Sequence, residues 1–254
     1  MYSFVPNMNS ELLAINQTAK ILGVSIQTLR RWDDSGKLSS ISRRAAGHRY
    51  YSKSDIGNYI KNNSKDLFLF KMARNWVAND LGVKPFSDFY CQDISVFQAR
   101  LTRLERELGK IKRLYRIFPL ISAITGEIGN NSFDHNLGNW PDVLGIFFAW
   151  NLDKRVIVLA DRGQGILATL KKVKPELVSH QDALRTAFTE MISGRAPEYR
   201  GNGLKFVRDV VIANEIKLFF QTGDAQLKIQ KNDSDINIQK SAINLRGCLT
   251  AVKF

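Results

Sequence analysis

Residues 127–136, which read EIGNNSFDHN, constrain this chain more than any other stretch of the sequence. Glu127, Asn131 and either Asp134 or His135 stand three or four residues apart, which places their side chains on one face of a helix. A helix that serves packing alone rarely needs a carboxylate and an amide gathered on one face. The stretch therefore predicts a helix that binds a polar ligand, with His135 interpreted as a surface or packing residue.

Two glycine-containing turns follow this stretch. DRGQGI, residues 161–166, comes directly after the apolar run VIVLA, and YRGNGL, residues 199–204, precedes a run with helical character. Each turn alone is a weak signal, because glycine-containing turns are common. The order and spacing of the three stretches make the combination specific.

Together the three stretches resemble the nucleotide-binding boxes of the GHKL ATPases, the superfamily of gyrase-type topoisomerases, Hsp90 chaperones, histidine kinases, MutL and anti-sigma-factor kinases. The resemblance covers roughly residues 95–254. It implies an α/β fold, an α+β sandwich of the Bergerat ATPase type in which one mostly antiparallel sheet packs against helices. It also implies that ATP and Mg²⁺ bind here.

The resemblance assigns roles to the helix residues. Glu127 would orient or deprotonate the attacking water and is the predicted catalytic residue. Asn131 would supply a neutral oxygen to Mg²⁺, and Asp134 would hold a magnesium-bound water.

The two turns supply the remaining predicted contacts. Asp161 would accept a hydrogen bond from the adenine amino group, and Gly163 would let the backbone approach the base closely. Glycine amides in the second turn would cradle the phosphates, with Arg200 and Lys205 as charge partners. The other predicted nucleotide contacts are Gly165, Ile166, Gly201, Asn202, Gly203 and Leu204.

The amino-terminal part predicts two short helices separated by a turn at Gly23. Asn16 can cap the first helix, and Ser25 begins the second, SIQTLRRWDDSGKL, with Ile26, Leu29 and Trp32 at helical spacing. SSISRRAAGHRYYS, residues 39–52, then predicts two extended runs around a turn at residues 45–47. This is the pattern of a helix-turn-helix with a wing.

This region resembles the small α-helical winged helix-turn-helix of the MerR and excisionase type, through the phrases TLRRW and GHRYYSKSDI. The resemblance implies that residues 25–34 enter the major groove of double-stranded DNA while the wing lies along phosphate or in the minor groove. The predicted DNA contacts are Ser25, Gln27, Thr28, Arg30, Arg31, Arg43, Arg44, His48 and Arg49. A single unit of this kind binds DNA weakly, so a homodimer or a partner protein is expected.

These features predict three segments: a MerR-like DNA-binding domain at 1–62, a connector at 63–94 and an ATP-binding domain at 95–254. Within the last, residues 97–118 predict one long amphipathic helix. Its leucine stripe is interpreted as packing on the sheet, with a coiled-coil dimer seam as the alternative. Residues 180–200 are interpreted as the lid over the nucleotide.

Charge and composition limit the partners and the location. The formal net charge of +13 and a pI near 9.8 indicate a polyanionic partner. The longest strongly apolar stretch is too short to span a bilayer, and the first residues, MYSFVPNMNS, lack the pattern of a signal peptide. We therefore expect no membrane association and a cytoplasmic location.

The sequence predicts a DNA-binding regulator in which binding and hydrolysis of Mg-ATP modulate DNA binding. One alternative is a serine protein kinase of the anti-sigma type that acts on a partner protein. Others are a static nucleotide sensor and a DNA-binding accessory factor of a mobile element or defence system.

Overall fold

The computed structural model describes residues 12–22, 24–43, 49–63, 68–82, 84–85, 87–191 and 202–254. The chain divides into two compact units, Met1–Met72 and Ala73–Phe254. Both units mix helices with antiparallel sheet. None of the helices in the described ranges combines the length and the apolar character that a membrane span requires.

The first unit is a small helical domain with a three-stranded antiparallel sheet in the order β1-β3-β2. Its elements are β1 (Leu12–Ala14), α1 (Ile15–Leu22), α2 (Ile26–Asp34), β2 (Ser42–Arg43), β3 (Arg49–Ser52) and α3 (Lys53–Asn63). The predicted helix pair is confirmed. The two extended runs of the wing are also confirmed as β2 and β3, while the predicted turn at residues 45–47 lies outside the described residues.

Helix α2 is fixed at its start and along its inner face. The Ser25 hydroxyl accepts a hydrogen bond from the Thr28 amide at 3.1 Å, which caps the helix. Leu29 is fully buried, and the Trp32 ring packs on Tyr59 with ring centroids 4.9 Å apart. The opposite face of the helix is left exposed to solvent.

The second unit is built on a five-stranded sheet in the order β4-β5-β6-β8-β7, in which every neighbouring pair is antiparallel. The chain enters through α4 (Phe68–Val77), within which the boundary between the two units falls. The elements that follow are β4 (Tyr90–Cys91), α5 (Ile94–Gly109), α6 (Phe118–Asn136), β5 (Ile146–Asn151), β6 (Val156–Asp161), α7 (Gly165–Leu170), α8 (His180–Thr189), α9 (Gly203–Ala213), β7 (Lys217–Ile229) and β8 (Ile238–Lys253).

Strand β6 lies in the middle of this sheet and is buried along its whole length. Its sequence VIVLAD is nearly all apolar, as expected for a strand covered on both faces. The carboxylate of Asp161 therefore arrives at the end of a fully buried strand, opposite Ile146 on one side and Cys248 on the other.

The predicted helix over residues 97–118 is wrong in its length. Helix α5 ends at Gly109, Ile111 adopts an extended conformation, and a 3₁₀ helix at Lys112–Leu114 leads into α6, which carries Pro119 in its first turn. Glycine ends helices readily and proline favours their first turn, so the chain breaks here despite the continuous apolar pattern. Leu104 and Leu108 are fully buried in the core of the unit, which confirms the packing interpretation of the stripe.

The predicted lid at residues 180–200 is also wrong in its first half. Ser179 caps α8, whose Ala183, Leu184 and Phe188 recur at helical spacing and are buried. The polar residues of this stretch occupy the other face of the helix. Residues 192–201 lie outside the described residues.

The contact between α5 and α6 allows a direct test of the packing. A Cβ atom at Gly129 would lie 2.0 Å from the ring of Phe97, which is fully buried and held edge-on to Phe148 at 5.2 Å. Because Phe97 has no free space, we expect Gly129→Ala to lower the free energy of unfolding by about 1–3 kcal/mol in urea titrations. Gly109→Ala is the matched control, since its Cβ would meet only ordinary contacts at 3.6 Å. Equal stability of the two variants would contradict this packing.

Candidate functional site

The polar face of α6 meets the start of α9. The Asn131 Nδ2 atom donates to the Glu127 Oε1 atom at 3.3 Å, so the carboxylate and the amide lie side by side. A Cβ atom at Gly203 would lie 1.9 Å from Glu127 Oε1 and 3.1 Å from Asn131 Nδ2. The structure thus brings together residues from two of the three predicted stretches, and a larger residue at position 203 would displace the Glu127 carboxylate.

One turn further along, α6 contacts the loop that follows β6. The Ser132 hydroxyl donates to Asp161 Oδ2 at 2.9 Å, and the Gln164 amide donates to Asn136 Oδ1 at 2.8 Å. A Cβ atom at Gly163 would lie 2.0 Å from Asn136 Nδ2, so this glycine is also required by a close approach. The same helix therefore carries Glu127 and Asn131 and fixes the DRGQG loop.

Asp161 is the most buried acidic group of the site, with 2% of its surface exposed. Burial raises the pKa of Asp161 to about 6, although hydrogen bonds from the Gly163 amide, the Ser132 hydroxyl and the Cys248 amide act in the opposite direction. A carboxyl group with this pKa can change its protonation state near neutral pH. It can donate a hydrogen bond when protonated and accept hydrogen bonds when ionised.

The rear of the loop rests on the two carboxy-terminal strands. Gly165 has a φ of +76°, a conformation that favours glycine, and the Thr222 hydroxyl of β7 accepts from the Ile166 amide at 3.2 Å. The same hydroxyl donates to the Gly247 carbonyl of β8 at 3.0 Å. The side chain of Ile166 packs against the core. The loop is therefore held from both sides.

The other predicted nucleotide contacts are placed less directly. Asn202 caps α9 without a side-chain hydrogen bond, and Leu204 and Lys205 are partly buried in its first turn. Asp134 lies partly exposed on α6. Arg200 and Gly201 lie outside the described residues.

Sequence reasoning missed Arg162, the residue between Asp161 and Gly163. Its side chain is fully buried, its Nη2 atom forms an ion pair with Asp142 at 2.6 Å, and its Nη1 atom donates to the carbonyls of Trp76 and Asn79. Hydrogen bonds from Arg162 hold the pKa of the Asp142 carboxyl below its ordinary value. A charged residue directly after a buried strand is the signal that could have revealed this role.

Ser132 and Asn136 were missed as well, although both stand in the stretch that first drew attention. Ser132 follows Asn131 by one residue and Asn136 follows it by five. Neither has the spacing of three or four residues that defines the face with Glu127 and Asn131. Their partners lie in the DRGQG loop, some thirty residues away in sequence, as the separations of 29 and 28 residues show.

In the first unit, the candidate DNA-binding face is the exposed side of α2. Gln27, Arg30 and Arg31 are exposed on this helix. The Ser25 and Thr28 hydroxyls lie 2.9 Å apart and bond to each other at its start. The structure therefore gives these two predicted contacts a capping role within the protein.

Arg49 of the predicted wing is bound to the end of α2. Its Nε atom lies 2.9 Å from Asp33 and its Nη2 atom lies 2.8 Å from Asp34. Asp33 also accepts from the Ser40 amide at 2.8 Å, so the guanidinium fastens the wing strand to the helix. The predicted contacts Arg44 and His48 lie outside the described residues, as does the side chain of Arg43.

Comparison with known proteins identifies the first unit. Residues 15–51 match the family described as MerR family regulatory protein, so this part of the chain is a MerR-family helix-turn-helix domain. Over 71 residues, which are 28% of this chain, the sequence is 41% identical to the Escherichia coli protein named type II methyltransferase M.Eco47II. The chain matches 16% of the length of that relative.

The buried carboxyl group of Asp161 makes stability depend on pH. Its pKa of about 6 lies above its ordinary value of 3.8, so between these values the folded protein keeps a proton that the unfolded chain releases. The resulting stabilisation is fully present below pH 4 and is lost as pH rises through 6. Asp161→Asn has no such titration. We therefore expect the difference in free energy of unfolding between Asp161→Asn and the wild type to shift in favour of the variant from pH 4 to pH 7, by a change on the order of 2 kcal/mol.

Urea unfolding of both proteins across this pH range measures the effect. Asp153→Asn, which changes an exposed carboxylate in the turn after β5, is the matched control. A constant difference between Asp161→Asn and the wild type from pH 4 to pH 7 would contradict the account of Asp161.

Proposed function

We propose that the second unit binds Mg-ATP and hydrolyses it slowly, and that nucleotide occupancy modulates DNA binding by the MerR-family unit. One observation carries the proposal. A single helix, α6, holds Glu127 and Asn131 against the start of α9 and holds the DRGQG loop one turn later. Described residues from all three sequence stretches that resemble GHKL nucleotide-binding boxes, Gly203 among them, thus lie along this one helix.

The Asp161 end of the site suits adenine. When ionised, this carboxylate is an acceptor only, which matches the exocyclic amine of the base. Its position at the end of a buried strand shields it from solvent, and a hydrogen bond there is stronger than in water. The loop around it is fixed before a ligand arrives, so little ordering is needed on binding.

The Glu127 end suits the phosphates. Helix α9 begins at Gly203 beside Glu127 and Asn131, and the first amides of a helix have no partner within it and carry a partial positive charge. Asn131 would hold Mg²⁺ through its amide oxygen, and bound Mg²⁺ would neutralise charge on the triphosphate. Lys205 in the first turn of α9 adds a cation.

Glu127 is the group that suits hydrolysis. Its carboxylate accepts a hydrogen bond from Asn131 and is thereby oriented. Attack of water on the γ-phosphorus would break the bond to the β-phosphate oxygen and release ADP and phosphate, with the water proton passing to Glu127.

DNA binding is supported by the MerR-family match at residues 15–51 and by the exposed Gln27, Arg30 and Arg31 on α2. Arginine and glutamine are side chains that read base edges in the major groove or bind phosphates. Arg162, which directly follows Asp161, offers a physical route for modulation, since it donates to the carbonyl of Trp76 in the last turn of α4 and to that of Asn79 just after the helix.

The proposal is tested by titrating the full chain with a fluorescent ATP analogue in Mg²⁺ and by measuring phosphate release from ATP. We expect Asp161→Asn to weaken nucleotide binding at least about tenfold, because its amide cannot match the acceptor-only carboxylate. We expect Glu127→Ala to keep binding and to lose phosphate release. Glu176→Ala, which removes an exposed carboxylate, is the control and should change neither quantity.

The outcomes separate the parts of the proposal. Absence of nucleotide binding by the wild type would overturn the assignment of the second unit. Tight binding without phosphate release would leave nucleotide sensing in place and remove hydrolysis. Release that persists in Glu127→Ala would remove Glu127 from its role as the base.

A further inference from the structure

A second strongly basic region lies on the unit that carries the candidate nucleotide site. It runs from the end of α5 through the 3₁₀ helix to the start of α6, and we call it the 103–116 surface. Six basic side chains in this short segment are exposed, against two acidic residues. The basic residues are Arg103, Arg106, Lys110, Lys112, Arg113 and Arg116.

Most of this charge is not neutralised within the protein. Glu107 is occupied by Arg103, at 2.8 Å, and by the indole nitrogen of Trp150, at 2.9 Å. Among the described residues, the remaining five cations of the surface form no ion pair within 4.0 Å. Lys110 is attracted to Glu107 at longer range, while the clustered cations repel one another, so binding of an anion would be favourable.

Packing and the helix dipole account for only part of these side chains. The segment is anchored by its apolar residues, because Leu104, Leu108 and Leu114 are buried in the core. Arg106 in the last turn of α5 and Lys110 at its cap are placed to complement the helix dipole. Lys112, Arg113 and Arg116 lie beyond the end of the helix, where the dipole effect has fallen away.

An exposed tyrosine lies among the cations. Tyr115 has 73% of its surface exposed, and its ring contacts Phe118 with centroids 6.3 Å apart. Tyrosine hydroxyls contact DNA phosphates alongside arginine and lysine. An aromatic ring within a basic surface fits a nucleic acid better than it fits a purely acidic peptide, which offers no sugar or base for the ring to contact.

We infer that the 103–116 surface is a second DNA-binding surface, which contacts the phosphate backbone without reading sequence. Successive cations on α5 stand three and four residues apart, about 4.5–6 Å along the helix axis, close enough together to engage neighbouring phosphates of one strand. Such contacts add affinity to a winged helix-turn-helix that binds weakly alone. The inference rests on the proposed function, since it requires the chain to bind DNA.

The test is the salt dependence of DNA affinity, measured with the full chain and a double-stranded DNA that it binds. In Arg106→Ser/Lys110→Ser/Arg113→Ser, we expect the slope of log K against log salt to become shallower by about 2–3, and affinity at low salt to fall at least about tenfold. The matched control, Lys171→Ser/Lys172→Ser/Lys228→Ser, removes the same charge from exposed positions of the same unit. The control should change the slope by less than about one.

A third variant, Arg30→Ser/Arg31→Ser, distinguishes this inference from the proposed function. No DNA binding by the wild type would overturn both. A different result would overturn only the second surface. In that result, the α2 variant weakens DNA binding, whereas the 103–116 variant and its control have the same effect as each other, whether none or an equal reduction. Circular dichroism and unfolding midpoints confirm that each variant is folded, which we expect because every substituted side chain is exposed.

Discussion

The arrangement of the second unit around its central strand depends on the hydrogen bonds that the buried carboxyl group of Asp161 accepts. A polar group at the end of a fully buried strand must find partners inside the protein, and the Ser132 hydroxyl, the Gly163 amide and the Cys248 amide supply them. These bonds join β6 to α6, to the DRGQG loop and to β8 at one point. The position of α6 over the sheet, and thus of its polar face, follows from this junction.

Two neighbouring residues at this junction have opposite tasks. Asp161 is the group that the proposed nucleotide would engage, whereas Arg162 is fully buried and is bound to Asp142 and to the carbonyls of Trp76 and Asn79. A change in the loop that moved Asp161 would therefore disturb the hydrogen bonds of the fully buried Arg162 guanidinium, and leaving such a group without partners is destabilising. Coupling through the loop would require two discrete arrangements of the loop.

The sequence predicted those features that depend on local patterns. Periodicity, capping and glycine turns predict the helix pair, the wing strands, α6 and β6. They also predict that Glu127 lies close to Asn131. The sequence did not predict the break at Gly109, because the apolar spacing continues through that point, or the helix α8, because one of its faces is polar. Ser132, Asn136 and Arg162 were missed because their partners are distant in sequence, so only the folded chain brings them together.

We propose that nucleotide binding and DNA binding are coupled, and DNA affinity measured with and without saturating Mg-ATP tests this directly. We expect ATP to change the affinity of the wild type for DNA at least about fivefold, with DNA changing ATP affinity by the same factor. We expect no change in Asp161→Asn. ATP binding that leaves the DNA affinity of the wild type unaltered would contradict the claim, because two sites without a coupling free energy do not regulate one another.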